Sequence, residues 1–299
     1  MTKMEQTHTR MTTATKNPAV KTAWIHPCAV CLAACTLAVI LLGAIITSSE
    51  GLPSDSPLVR APDWTSSLHL VTSILVSLLT VGLCLWLVVK ERDSWLRIAA
   101  GATLLVWLAE LALGATASSV ALFHAFLAQL LMTGAVLLAV LTSTAWDSPG
   151  EISGSSFRWL ALVIVVLVLL QVLLGDAYRH RAMGVILHIL NAMIVALVIF
   201  ISGMVLTRKS SEPTMLRSAA VWLMVITGIQ VMLGFAVFIL LLMLKATNIS
   251  VVVISVAHVA TGALTLAASV VFAIVARRDS GRPSTAGGGL EPSPSQAQP

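Results

Sequence analysis

The chain predicts an all-α membrane protein of eight transmembrane helices arranged as two pseudo-symmetric four-helix bundles. Three observations predict it. Hydrophobic residues make up 58% of the 299 positions and charged ones 10%, with a mean hydropathy of +0.95. Eight apolar stretches approach the ~20 residues needed to cross a bilayer. A short motif recurs in every second stretch. No ordinary soluble domain has this composition.

The first span, 28–48, carries Val39-Ile-Leu-Leu-Gly43 and follows a polar lead over residues 1–26. That lead is too long and too weakly patterned for a signal peptide, so the first helix is read as uncleaved. The second span, 67–89, has His69 near its start, and Lys90 and Arg92 follow it. The third, 96–117, includes Glu110-Leu-Ala-Leu-Gly114, and the fourth, 120–143, carries His124. These belong to an N-terminal half, 27–146, joined by a linker, 147–157, to a C-terminal half, 158–276. The fifth span, 158–176, holds the unbroken run Leu160–Leu174 and closes on Gln171-Val-Leu-Leu-Gly175. In lipid such a run must satisfy its backbone internally, which a helix does. The sixth, 182–206, contains His188; the seventh, 216–244, contains Gln230-Val-Met-Leu-Gly234; the eighth, 249–276, contains His258 within the run Val251–Val275. Residues 277–299 turn to Gly, Pro and Ser and lack the apolar surface to offset ordering entropy, so a disordered tail is expected.

Orientation follows from the basic residues between spans. With both termini in the cytoplasm, only Arg60, Arg179, Arg181 and Lys245 of the 18 Lys and Arg lie outside. The expected location is the plasma (inner) membrane of a cell, crossed many times. The net charge of +5 is then accounted for by topology and anionic lipid, with no support for nucleic-acid binding.

The repeat carries the chemistry. In the third, fifth and seventh helices a polar residue stands one turn before a glycine, on the same face. Each following even helix brings one histidine near its outer end: His69-Leu-Val-Thr-Ser, His124-Ala-Phe-Leu-Ala, His188-Ile-Leu-Asn-Ala and His258-Val-Ala-Thr-Gly. The fourth residue after each histidine is small, which permits close approach of a flat ring or a neighbouring backbone. Imidazole is the usual axial ligand of heme iron, and facing histidines at similar depth are what six-coordinate heme requires. The competing reading of any one intramembrane histidine is an interhelical hydrogen bond. His8, His26 and His180 have no counterpart in the repeat and are placed at the membrane surface or in the tail.

Eight helices, [Glu/Gln]-x-x-Leu-Gly closing the odd ones and one histidine in each even one, resemble the heme A synthase family of cytochrome oxidase assembly. Thr47-Ser48-Ser49-Glu50-Gly51-Leu52 and Ala61-Pro62-Asp63-Trp64 are similar to that family's first outer loop, and the resemblance covers about residues 28–276. It implies oxidation of a ring methyl of heme O toward the formyl of heme A. It also implies a substrate heme between His69 and His124 and a b-type cofactor heme between His188 and His258. The implied partners are a heme substrate, an electron donor, oxidase-assembly proteins and a second copy of the chain. Three features depart from the family pattern. Thr65-Ser66-Ser67-Leu68 stands where a glutamate usually precedes the first histidine, the first outer loop has no cysteine pair, and Leu70 stands where arginine is common. Asp63 is the acid nearest upstream of His69 and is the candidate catalytic replacement. The alternative function is a non-catalytic heme-binding protein for electron transfer or oxidase assembly.

Glu110 is read as the one acid well inside a span, where it must be paired, protonated or facing a polar cavity. Two roles fit it: support of a heme group, or the interhelical bond that Gln171 and Gln230 would make. Arg179 and Arg181, outside near His188, suit heme propionates by guanidinium geometry or serve as surface charges. Cys28, Cys31 and Cys35 share one face of the first helix, in a compartment that disfavours disulfides. Packing as small apolar residues and a metal or redox role are the two readings for them.

Overall fold

A computed structural model describes residues 23–49, 63–114, 121–147, 155–209, 214–244 and 248–279. They form α1 (Ile25–Ser49), α2 (Asp63–Lys90), α3 (Ser94–Gly114), α4 (Ala121–Thr142), α5 (Ser155–Arg179), α6 (Val185–Lys209), α7 (Met215–Leu244) and α8 (Ile249–Asp279), with a short 3-10 turn at Thr144–Asp147. All eight helices are long and apolar enough to span a membrane, so the chain is an all-α, multi-pass protein of the lipid bilayer. The expectations for the lead before residue 23, the outer-loop motif over 50–62, most of the linker and the tail lie outside the described residues.

Local chemistry sets the helix ends. Pro27 stands in the first turn of α1, where a missing N–H leaves no intrahelical bond unmade. Asp93 Oδ1 accepts the Trp95 N–H at 2.8 Å to start α3, and Thr214 Oγ1 accepts the Arg217 N–H at 3.2 Å to start α7. Asn248 Oδ1 does the same for Val251 at 3.1 Å at the start of α8. The fifth helix runs past its expected end at 176 to Arg179, because Asp176 and Arg179 both find partners on other helices. Arg181 then turns the chain at a φ of 59°.

In the first half α1 packs on α2 and α4, and α3 packs on α2 and α4. In the second half α5 and α7 each pack on α6 and α8 in the same way. The halves meet through α4 against α8 and α5 and through α1 against α8, and α4 and α8 are the most enclosed of the spans. The fully buried side chains Leu32, Leu87, Leu138, Leu141, Ile199, Leu223 and Phe272 gather toward the end opposite the four histidines. With lipid as solvent, dispersion between close-packed surfaces holds this end together, rather than exclusion from water. The buried Gln129, Asp176 and Asn191 lie toward the histidine end.

Candidate functional site

The repeat glycines prove to be seats for the imidazoles. A Cβ built on Gly43 would fall 3.3 Å from His69 Cε1, one on Gly175 3.0 Å from His188 Cε1, and one on Gly234 2.8 Å from His258 Cε1. Each ring therefore lies against the backbone of the preceding helix; a side chain would collide with it at Gly234 and crowd it at Gly43 and Gly175. Gly114 closes α3 at the edge of the described residues. The motif read from the sequence thus has a steric meaning: the glycine admits the ring, and the polar residue one turn earlier reaches it.

In the C-terminal half this polar contact is complete. His258 Nδ1 donates to the Gln230 backbone carbonyl at 3.1 Å, which assigns the proton to Nδ1 and leaves the lone pair on Nε2. The Gln230 amide stands 3.4 Å from that Nε2, and Thr261 Oγ1 donates to Gln230 Oε1. On the other side, Gln171 Nε2 donates to the His188 backbone carbonyl at 3.1 Å and stands 3.1 and 3.2 Å from the two ring nitrogens. Asn191 Nδ2 holds the amide in place by donating to Gln171 Oε1 at 2.8 Å and to the Leu167 carbonyl at 3.1 Å. The His188 and His258 rings meet in an edge-on, T-shaped arrangement with centroids 6.2 Å apart and planes at 80°. Asn191 and Thr261 were not singled out from the sequence; both stand three residues after their histidine, and that shared offset was the available signal.

The N-terminal half is built alike but satisfied differently. His124 Nδ1 lies 3.1 Å from Glu110 Oε1 without the alignment of a hydrogen bond, Glu110 Oε2 is buried with no partner, and the buried His69 Nδ1 has only the Val39 backbone beside it. The first helix has Val39 where the other odd helices have Glu or Gln, so no side-chain acceptor faces His69. His124 has both His69 and His180 as electrostatic neighbours.

Two expectations are corrected. Glu110 is not the one acid well inside a span: Asp176 in α5 is 4% exposed, and Gln129 Nε2 of α4 donates to its two oxygens at 3.0 and 3.2 Å. Arg179 is not a loop residue. It occupies the last turn of α5, half-buried, and its Nη2 donates to the Ala44 carbonyl at 2.6 Å and to Ser48 Oγ at 2.8 Å, capping α1 across the junction of the halves. Arg179 is also an electrostatic neighbour of His258, whereas Arg181 is exposed. Asp63 is the first residue of α2; its side chain, with Glu50 and Asp55, lies outside the described residues.

Cys31 Sγ and Cys35 Sγ approach to 4.0 Å on α1 and Cys84 is buried, with all four cysteines free. His26 ties the start of α1 to the end of α4 through the Ala139 carbonyl and Thr142. Among the described residues no three or more His, Cys, Asp or Glu side chains converge as a metal cage. A heme iron asks the protein for only one or two. Comparison with models of known protein families and with curated proteins returns no match.

Proposed function

We propose that this chain is a membrane heme protein of the heme A synthase type, oxidising a ring methyl of heme O toward the formyl of heme A. The observation that carries the reading is the His188–His258 pair. Their ring centroids stand 6.2 Å apart. That spacing supports the reading, in which His188 and His258 would hold a b-type heme and His69 and His124 the substrate heme. When bound, an iron between two neutral imidazoles supplies one-electron transfer.

The chain's own residues prepare the ligands. The Gln230 carbonyl fixes the His258 tautomer so that Nε2 keeps its lone pair, the usual supporting arrangement for a metal-binding histidine. Asn191 orients Gln171, and Gln171 positions His188. Gly175 and Gly234 let the rings settle against the helix backbone. Asp63, at the first position of α2, is the acid proposed to hold or move a proton beside the substrate.

The same reading relates the halves by a pseudo-two-fold axis, since α1–α4 and α5–α8 pack in the same order and Gly–His contacts recur in both. It also places both termini in the cytoplasm at the plasma membrane, on the Lys and Arg distribution. The second reading, a heme carrier for electron transfer or oxidase assembly, is favoured by Thr65-Ser66-Ser67-Leu68 in place of the expected glutamate. Expressing the protein in a host that makes heme O, then extracting and weighing its pigments, separates the two. Hydroxylated or formyl heme, lost in Asp63→Asn, supports the enzyme; heme b with unaltered heme O supports the carrier; no heme refutes both.

A further inference from the structure

The two halves differ at both motif positions: Val39 of α1 stands where α5 has Gln171, and Glu110 of α3 stands where α7 has Gln230. Gln171 and Gln230 present neutral amides to His188 and His258, whereas the third helix presents the carboxyl of Glu110 to His124, Oε1 standing 3.1 Å from Nδ1. The Glu110 side chain is only 14% exposed, and its second oxygen is buried without a partner. A carboxyl left half-satisfied in such a place costs free energy, so it needs a task that glutamine does not perform.

We infer that Glu110 is a positioning residue that acts through His124, accepting its Nδ1–H and making it a stronger electron donor to iron than the amide-supported histidines of the other half. The inference rests on the heme reading. The 3.1 Å contact is within hydrogen-bond distance, and contacts of this kind tighten when a site is occupied. With the proton on Nδ1, Nε2 is the nitrogen that faces the metal. A carboxylate is a stronger acceptor than an amide carbonyl, and a histidine whose outer N–H is given to a carboxylate is a more basic ligand. The N-terminal iron is therefore biased toward its oxidised form relative to the C-terminal one. One shared fold thus carries an oxidisable N-terminal site beside an electron-carrying C-terminal site, and the exchange of Gln230 for Glu110 at the matched position contributes to the difference.

The test is spectroelectrochemical titration of the detergent-purified full chain reconstituted with iron protoporphyrin IX, comparing wild type, Glu110→Gln and Gln171→Glu. Glu110→Gln keeps the side-chain shape and is expected to shift the reduction equilibrium of the N-terminal heme about tenfold toward the reduced form, about 59 mV for one electron. The heme held by His188 and His258 should not move. Gln171→Glu, which installs the carboxyl in the other half, should shift that heme about tenfold in the opposite sense. Should Glu110→Gln bind no heme in its N-terminal half, Gln171→Glu alone decides. Hemes retained with equilibria unchanged in both variants overturn the role of Glu110 and leave the heme reading intact. Wild type that takes up no heme overturns the heme reading itself.

Discussion

Alanine at Gly234 separates a glycine that merely occupies a helix from one that seats a ligand. The added Cβ falls 2.8 Å from His258 Cε1, 3.4 Å from Nδ1 and 3.6 Å from Nε2. Carbon atoms in ordinary contact stand about 3.5–4.0 Å apart, so the ring must withdraw by about 0.7 Å or more. The hydrogen bond from His258 Nδ1 to the Gln230 carbonyl, now 3.1 Å, then stretches out of range. Its loss costs about 1 kcal/mol and overpacking about 1–3 kcal/mol more, against about 1 kcal/mol returned by alanine's helix propensity. The fold survives this, while displaced supporting groups typically cost about 10–100-fold in metal affinity. Gly175→Ala, at 3.0 Å from His188, should be milder, and Gly43→Ala, at 3.3 Å from His69, milder still. Gly82 and Gly101, with nothing within 4 Å, serve as controls at which alanine should be neutral or stabilising. The assay is the heme-to-protein absorbance ratio of purified protein, with thermal unfolding on the same samples. Equal heme content in all five variants, or loss at Gly82 instead of Gly234, would refute the reasoning.

Asn191→Ala frees the Gln171 amide and should broaden the low-spin optical bands of the C-terminal site while lowering stability by about 1 kcal/mol, read from spectra and melting curves of one preparation. Gln129→Leu leaves the buried Asp176 carboxyl without its amide donor and should destabilise the junction of the halves by about 1–3 kcal/mol; melting equal to wild type would show that this bond holds nothing. Cysteine placed at Ser56 should react with an impermeant thiol reagent added outside intact cells, and labelling only after lysis would reverse the topology.

The positions of the eight helices were legible because each apolar run is long, while their ends moved by up to a few residues in either direction: α5 is extended to Arg179 by its partners, α3 ends at Gly114 and α6 starts at Val185. The Gly–His contacts were foreshadowed by [Glu/Gln]-x-x-Leu-Gly, since a turn of helix puts the polar residue and the glycine on one face. Two things were hidden. The small fourth residue after each histidine drew notice away from the third, where Asn191 and Thr261 grip the glutamine amides. The Gln129–Asp176 bond joins different halves, and no local spacing encodes a contact across 47 positions. Glu110 shows the reverse case: its alignment with Gln171 and Gln230 was visible in the chain, but only the fold shows its second oxygen buried without a partner.

Low-temperature electron paramagnetic resonance of the oxidised, heme-reconstituted protein tests the central claim most directly, because it reports the iron's axial ligands and their mutual orientation. Rings whose planes stand at 80° predict a strongly anisotropic low-spin signal that persists in His69→Ala and vanishes in both His188→Ala and His258→Ala. Survival of that same strongly anisotropic signal, unchanged, in the His188 and His258 variants, or no low-spin heme in the wild type, would contradict the account.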